Sequence, residues 1–148
     1  MIGDKTTIFT AVERFRGYCE ALEGAGLEVD NALVRLGVRD TGAAESATSE
    51  LLSLPKPPTA LFTGNNRITA GALRVLSRNG RRVALVGFDD LELAELLVFP
   101  ATVVAYEPAE LGRQAAELLA RRLAGDDSPP QRVVLPTTLV ARGAGEMR

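Results

Sequence analysis

The run Arg82-Val83-Ala84-Leu85-Val86-Gly87-Phe88-Asp89-Asp90 constrains the fold more than any other stretch of the chain. Four apolar residues rich in β-branched side chains, closed by a glycine, an aromatic and two carboxylates, read as a strand buried on both faces, the kind found inside a parallel sheet covered by helices. In open α/β sheets ligands sit beyond the carboxyl ends of the strands, so Asp89 and Asp90 stand where an acceptor is useful. A second run, Thr59-Ala60-Leu61-Phe62-Thr63 followed by Gly64-Asn65-Asn66, has the same form. Two such ends side by side make a polar floor.

Around these strands the periodicity alternates. Phe9, Val12, Phe15, Tyr18, Cys19 and Leu22 recur at helical spacing and predict a stripe facing a core. Ala32 to Leu36 reads as a short strand, and Thr41 as the N-cap of a helix with Glu45 in its first turn, running through Leu51 and Leu52 to a stop at Pro55. Ile68, Ala72, Leu73 and Leu76 mark a further helix closed by Asn79-Gly80. Leu91 to Phe99 reads as a short apolar helix ended by Pro100. Thr102 to Tyr106 is a strand, and Pro108 opens a long amphipathic helix through Leu111 and Leu123. Two extended pieces follow, Arg132 to Leu135 and Thr137 to Arg142. Met1 to Asp4 resembles the last residues of a strand. This order of strands and helices is that of βαβ units, an α/β fold with a parallel doubly wound sheet flanked by helices.

With 148 residues, 46% of them hydrophobic and 24% charged, the chain has the size and balance of one globular domain. A net charge of -2 argues against direct nucleic-acid binding, which needs a clustered excess of Lys and Arg. Histidine is absent and there is a single cysteine, Cys19, which removes histidine-based triads, internal disulfides and most zinc sites. No loop has the spacing of a dinucleotide or Walker motif, and there is no nucleophile elbow. No catalytic residue, cofactor or metal is expected. No stretch has the length and apolarity of a membrane span.

These pieces in order resemble the effector-binding core of the lactose/galactose repressor (LacI/GalR) family of bacterial transcription regulators. The likeness rests on Glu13-Arg14-Phe15-Arg16-Gly17-Tyr18 leading into Ala21-Leu22, and on Pro57-Pro58-Thr59-Ala60-Leu61-Phe62 running into Asn65 and Ala70-Gly71-Ala72-Leu73. It continues through Val86-Gly87-Phe88-Asp89-Asp90, Pro100, Thr102-Val103-Val104, Glu110-Leu111-Gly112 and Leu135-Pro136 before Leu139-Val140-Ala141-Arg142. The resemblance implies one lobe of a type I periplasmic-binding-protein fold plus a segment of the other. Residues 4–101 and 132–148 form the C-terminal lobe, 102–131 a crossover strand and helix belonging to the N-terminal lobe, and the DNA-binding headpiece is absent. On that arrangement the strand Thr102 to Tyr106 should lack sheet partners.

The implied function is effector sensing: a small polar molecule, a sugar or nucleoside-like compound, binds between the lobes and controls DNA binding through the missing headpiece. Carried over by position, Arg14 donates to ligand hydroxyls or a carboxylate, and Asn65 and Asp89 hydrogen-bond hydroxyls on the same molecule. Phe88 and Tyr106 flank the site, Phe88 for packing and Tyr106 where the family often has glutamine. The family usually has Asn-Asp at Asn65-Asn66, and Asn66 can cap the following helix. The helix with Ala70 and Arg74 resembles one at a dimer contact, implying a cytoplasmic homodimer. Asp90 reads as a cap or solvated partner and Cys19 as a small core residue. A solute-binding protein for sugar transport shares the fold, and a small α/β enzyme is the remaining class.

Overall fold

The computed structural model describes residues 1–80, 82–92, 94 and 101–143. Its elements are α1 (Phe9–Gly24), a 3-10 turn (Asn31–Leu33), α2 (Thr41–Leu52), β1 (Ala60–Thr63), α3 (Asn66–Asn79), β2 (Ala84–Phe88), β3 (Thr102–Ala105), α4 (Pro108–Leu123) and β4 (Thr138–Val140). The apolar stretch 91–99 and the proline after it fall largely outside the described residues.

The sheet has the order β1-β2-β3-β4, with β1, β2 and β3 parallel and β4 antiparallel to β3, so the expected parallel sheet is mixed at one edge. Beyond β1 the chain start completes it. Ile2 bridges Thr63 on one side and Arg35 on the other, both parallel, which confirms Met1 to Asp4 as a strand end. Strand β3 is not an edge, contrary to expectation: Val86 pairs with Thr102 and Gly87 with Val103, while Val103 pairs with Val140 and Val104 with Leu139 on the other side. Strand β2 and the returning antiparallel β4 supply the partners within this chain.

Two further assignments change. Ala32 to Leu36 is a 3-10 turn followed by a single bridge at Arg35, because the Asp30 side chain accepts from the Ala32 N–H and curls the chain at the point where a ladder would start. Arg132 to Leu135 forms no strand, and only the second of the two final pieces does.

One face of the sheet carries Leu61, Leu85 and Val103, all buried, under α2 and α3. Ile2, Leu51, Ile68, Leu76, Leu85 and Val103 are the largest apolar side chains with essentially no exposure. Each such residue contributes about 1.5–3 kcal/mol, against about 0–1 kcal/mol for an exposed ion pair. This layer therefore sets the stability. The α2–α3 contact needs glycine at 71, where an added Cβ would lie 2.5 Å from the Ala44 Cβ and 2.6 Å from the Thr41 carbonyl oxygen.

The opposite face carries Phe62, Val86, Phe88 and Val104 in register, and α1 lies against it through Tyr18 on Phe62 and Arg14 on Phe88. Tyr18 stacks on Phe62, with centroids 6.4 Å apart and planes 4° from parallel, and Phe15 extends the stack. Yet no residue of α1 is buried, and none of α4. The expectation that the α1 stripe faces a core is thus corrected. Phe9 is 60% exposed and Val12 41%, and Cys19 is half-buried instead of in the core.

Candidate functional site

Three strand tips meet on one side of the sheet: Asp4 after the initial strand end, Asn65 after β1 and Asp89 after β2. Asn65 is the N-cap of α3. Its backbone is extended, its Oδ1 accepts from the Ile68 N–H at 3.0 Å, and its Nδ2 donates to Asp4 Oδ2 at 3.2 Å. The cap therefore falls on Asn65 and not on Asn66, which is already the first helical residue. Likewise Asp40, not Thr41, caps α2, accepting from the Ala43 N–H at 2.8 Å, and no acidic residue lies in that helix's first turn. Where two good capping residues are adjacent, the one that the preceding chain leaves extended takes the role.

Beneath the Asn65 turn lies a pair of buried hydroxyls. Thr63 Oγ1 and Thr69 Oγ1 are 2.7 Å apart, and Thr69 donates to the Asn65 carbonyl at 2.9 Å. A Cβ at Gly87 would meet Thr69 Oγ1 at 2.5 Å. The glycine of the Val-Gly-Phe-Asp run thus lets β2 approach the helix that presents Asn65.

Asp89 is the only described non-glycine residue with positive φ, at 67°. Such left-handed backbone is costly and tends to survive where the surroundings fix it. Here the Asp89 N–H donates to the Val104 carbonyl at 3.0 Å, so β3 holds the turn. The turn sends the Asp89 carboxylate one way and Asp90 another. Asp90 accepts from the Leu91 N–H and takes a two-pronged pair with Arg142, at 2.8 Å on each oxygen, the partner role expected of it.

Arg14 comes in from α1. Its Nη1 donates to the Gly64 carbonyl at 2.7 Å, its guanidinium lies 3.7 Å from the centre of the Phe88 ring, and its Nη2 is 3.6 Å from Asp89 Oδ1. That last distance is too long for a hydrogen bond but close enough for charge attraction. Asp89 Oδ1 is accordingly buried with no hydrogen-bond partner. Burial raises the Asp89 carboxyl above its ordinary range, more than the Arg14 charge and the nearby Asn66 N–H bring it down. Burial lowers the pKa of Arg14 in turn, while Asp89, Tyr106 and Asp4 oppose that shift.

The structure thus brings Arg14, Asn65, Asp89 and Phe88 to one place, with Tyr106 within electrostatic reach of the guanidinium. Phe88 does more than pack, since it is the platform for Arg14. Tyr106 also lines a groove of about 490 Å³ with Glu107, Glu110 and Leu135. Ala70 and Arg74 lie elsewhere, along α3, where Arg74 and Arg78 both pair with Glu45 at 3.0 Å. Sequence reasoning missed Asp4. Its signal was available: a carboxylate closing a recognised strand end, as at Asp89. Among the described residues no group of three or more Cys, Asp or Glu is placed to hold a metal ion.

An open sheet with polar groups converging at its strand ends defines a ligand-binding α/β domain. The chain belongs to the periplasmic binding protein-like domain family, whose profile matches residues 1–144. It is 40% identical over 138 residues to the HTH-type transcriptional regulator CelR of Thermobifida fusca, covering 90% of this chain and 41% of that protein. It is 32% identical over 135 residues to the HTH-type transcriptional repressor CytR of Escherichia coli (strain K12), covering 88% of this chain and 40% of the repressor.

Among solved structures, a transcriptional regulator CelR–cellobiose complex superposes with a TM-score of 0.87 at 40% identity, over 97% of this chain and 45% of that one. A regulatory protein of the LacI family from Chloroflexus aggregans does so with a TM-score of 0.85 at 27% identity, over 98% and 53%. The chain spans less than half the length of the curated relatives it matches. These homologues are LacI-type transcriptional regulators, which agrees with the family read from the sequence.

Proposed function

We propose that this chain is the effector-sensing portion of a LacI-type transcriptional regulator and that it binds a sugar at the Arg14, Asn65 and Asp89 cluster. The observation that carries the reading is Asp89 Oδ1, a buried acceptor without a hydrogen bond. A buried oxygen left without a partner is costly, and a ligand hydroxyl would satisfy it. Arg14, held over the Phe88 ring, and Asn65, fixed by its cap, add donors at defined positions. The relative solved with cellobiose supports a sugar as ligand class, with nucleosides as the alternative effector.

On this reading the sheet β1 to β4, with β3 among its strands, belongs to one lobe, and the chain beyond β3, through α4, leads to a second lobe that supplies the far wall of the cleft. DNA is contacted by a separate headpiece, in keeping with the net charge of -2. The effector acts by favouring one lobe arrangement over another, which requires different affinity for the two. The protein is not an enzyme in this reading and works in the cytoplasm; no helix among the described residues is long and apolar enough to cross a membrane. Subunits pair through α3, with Ala70 and Arg74 at the contact.

The test is a thermal-shift screen of sugars, polyols and nucleosides on the protein in its longest encoded form, repeated with Asp89→Ala. A stabilising compound whose shift disappears in the variant supports the site. One whose shift is unchanged overturns it.

A further inference from the structure

Both donor groups of the cluster already have a partner within the chain. Arg14 gives Nη1 to the Gly64 carbonyl at 2.7 Å, lies 3.7 Å over Phe88 and points Nη2 toward Asp89 at 3.6 Å. The first turn of α3, which would otherwise attract an anion, is filled by the chain's own acceptors: Asn65 Oδ1 takes the Ile68 N–H at 3.0 Å, and the Asp89 carboxylate faces the Asn66 N–H. The buried side-chain atom left without a hydrogen bond among the described residues is an acceptor. Asp89 Oδ1 is buried and without a hydrogen-bond partner, and Asp4 adds a second carboxylate, held at 3.2 Å by Asn65 Nδ2.

Two carboxylates thus face one guanidinium. Ionised carboxylate oxygens only accept, and a phosphate or carboxylate group on a ligand brings acceptors and a further negative charge. Like charges brought together at a partly desolvated contact are strongly disfavoured. A neutral polyol does the opposite, since each hydroxyl carries a proton to give.

We propose that the site selects a neutral ligand that donates hydroxyl or N–H hydrogens to Asp89 and Asp4, and that it rejects phosphorylated and carboxylated sugars. This inference rests on the sensor reading above and narrows its ligand class.

The experiment is calorimetric titration of the protein in its longest encoded form with cellobiose and glucose, and with glucose 6-phosphate and glucuronate, at low ionic strength. A neutral sugar should bind at least about tenfold more tightly than either anionic one. Asp89→Asn should narrow that ratio, because the amide both donates and accepts, and asparagine tolerates the left-handed backbone at this position. An anionic sugar that binds as tightly as the neutral ones, with the ratio unchanged in Asp89→Asn, overturns the charge selection but leaves the sensor reading standing. Such a result would point to Arg67, exposed in the first turn of α3, as the receiving cation. Silence from all four sugars, and from adenosine and cytidine titrated alongside, removes the sensor reading and this inference together.

Discussion

Thr69 sets its hydroxyl where a side chain on Gly87 would have to begin, 2.5 Å from that Cβ position, and donates the same hydroxyl to the Asn65 carbonyl. The glycine of β2 and the cap of α3 are therefore one packing unit. Gly87→Ala should cost about 1–3 kcal/mol, the range for forcing an extra methyl into a filled site, read as a lower midpoint of urea unfolding with an unchanged slope. Pairing it with Thr69→Ser removes the methyl that would sit 3.0 Å away but keeps the hydroxyl, so most of the loss should remain. Full recovery in the double variant would show that the hydroxyl is not the obstacle.

Gly71→Ala should separate α2 from α3. The added Cβ would meet both the Ala44 methyl and the Thr41 carbonyl oxygen. Ala44→Gly can remove the first of these and not the second, which is backbone. Gly71→Ala should thus destabilise by about 1–3 kcal/mol or more, and the double variant should remain less stable than the parent when compared by denaturant unfolding.

Asp89 and Asp90 should differ in pH dependence. The folded-state pKa of Asp89 is raised by burial, so folding favours its protonated form, and its ionisation lowers stability as pH rises from the unfolded value of about 3.8 through the raised one. Asp90 is lowered by its bond to Arg142, so its contribution is present above the unfolded value and is lost as pH falls through the lowered one. Asp89→Asn should flatten the decline in stability above pH of roughly 4, whereas Asp90→Asn should remove part of the loss below it. Stability curves against pH for the two variants check the signs. Identical curves would mean the two environments are not distinct.

Capping of α2 separates two adjacent residues. Asp40→Ala should cost about 1 kcal/mol, the usual value for an N-cap, while Thr41→Ala should stay within about 0.5 kcal/mol as an ordinary helical substitution. Thermal unfolding of the two variants decides which residue caps the helix.

Arg14→Lys should show how much the flat guanidinium matters. Lysine keeps the charge but loses the fork and the stacking plane over Phe88. Effector affinity should fall by at least about tenfold, equivalent to about 1.4 kcal/mol, with a Tm within about 4 °C of the parent. An unchanged affinity would remove Arg14 from the site.

Much of this was legible in the sequence. The Val-Ala-Leu-Val run and Thr59 to Thr63 read as strands from their apolar, β-branched character, Asn65 and Asp89 follow from their strand-tip positions and the family likeness, and Arg14 follows from the likeness alone. Other features depend on what the chain does at a distance. The partners of β3 are set by β2 and by a return from β4, neither of which Thr102 to Ala105 encodes locally. The stripe on α1 shows that one face is meant to be covered but not by what, and here Tyr18 meets Phe62 while Phe9 meets Arg132. Asp4 closes a strand end that the sequence does reveal, but its place beside Asn65 is set by the parallel bridge of Ile2 to Thr63, which no local pattern encodes.

The helix that brings Arg14 to the site buries none of its residues, whereas α2 and α3, which hold the domain together, contribute chiefly Asn65's cap. Arg14 thus stands on an element apart from the core, while Asn65 and Asp89 rise from the elements that form it. Substitutions along α1 should therefore change the surroundings of Arg14 at less cost to folding than substitutions in the buried faces of α2 or α3.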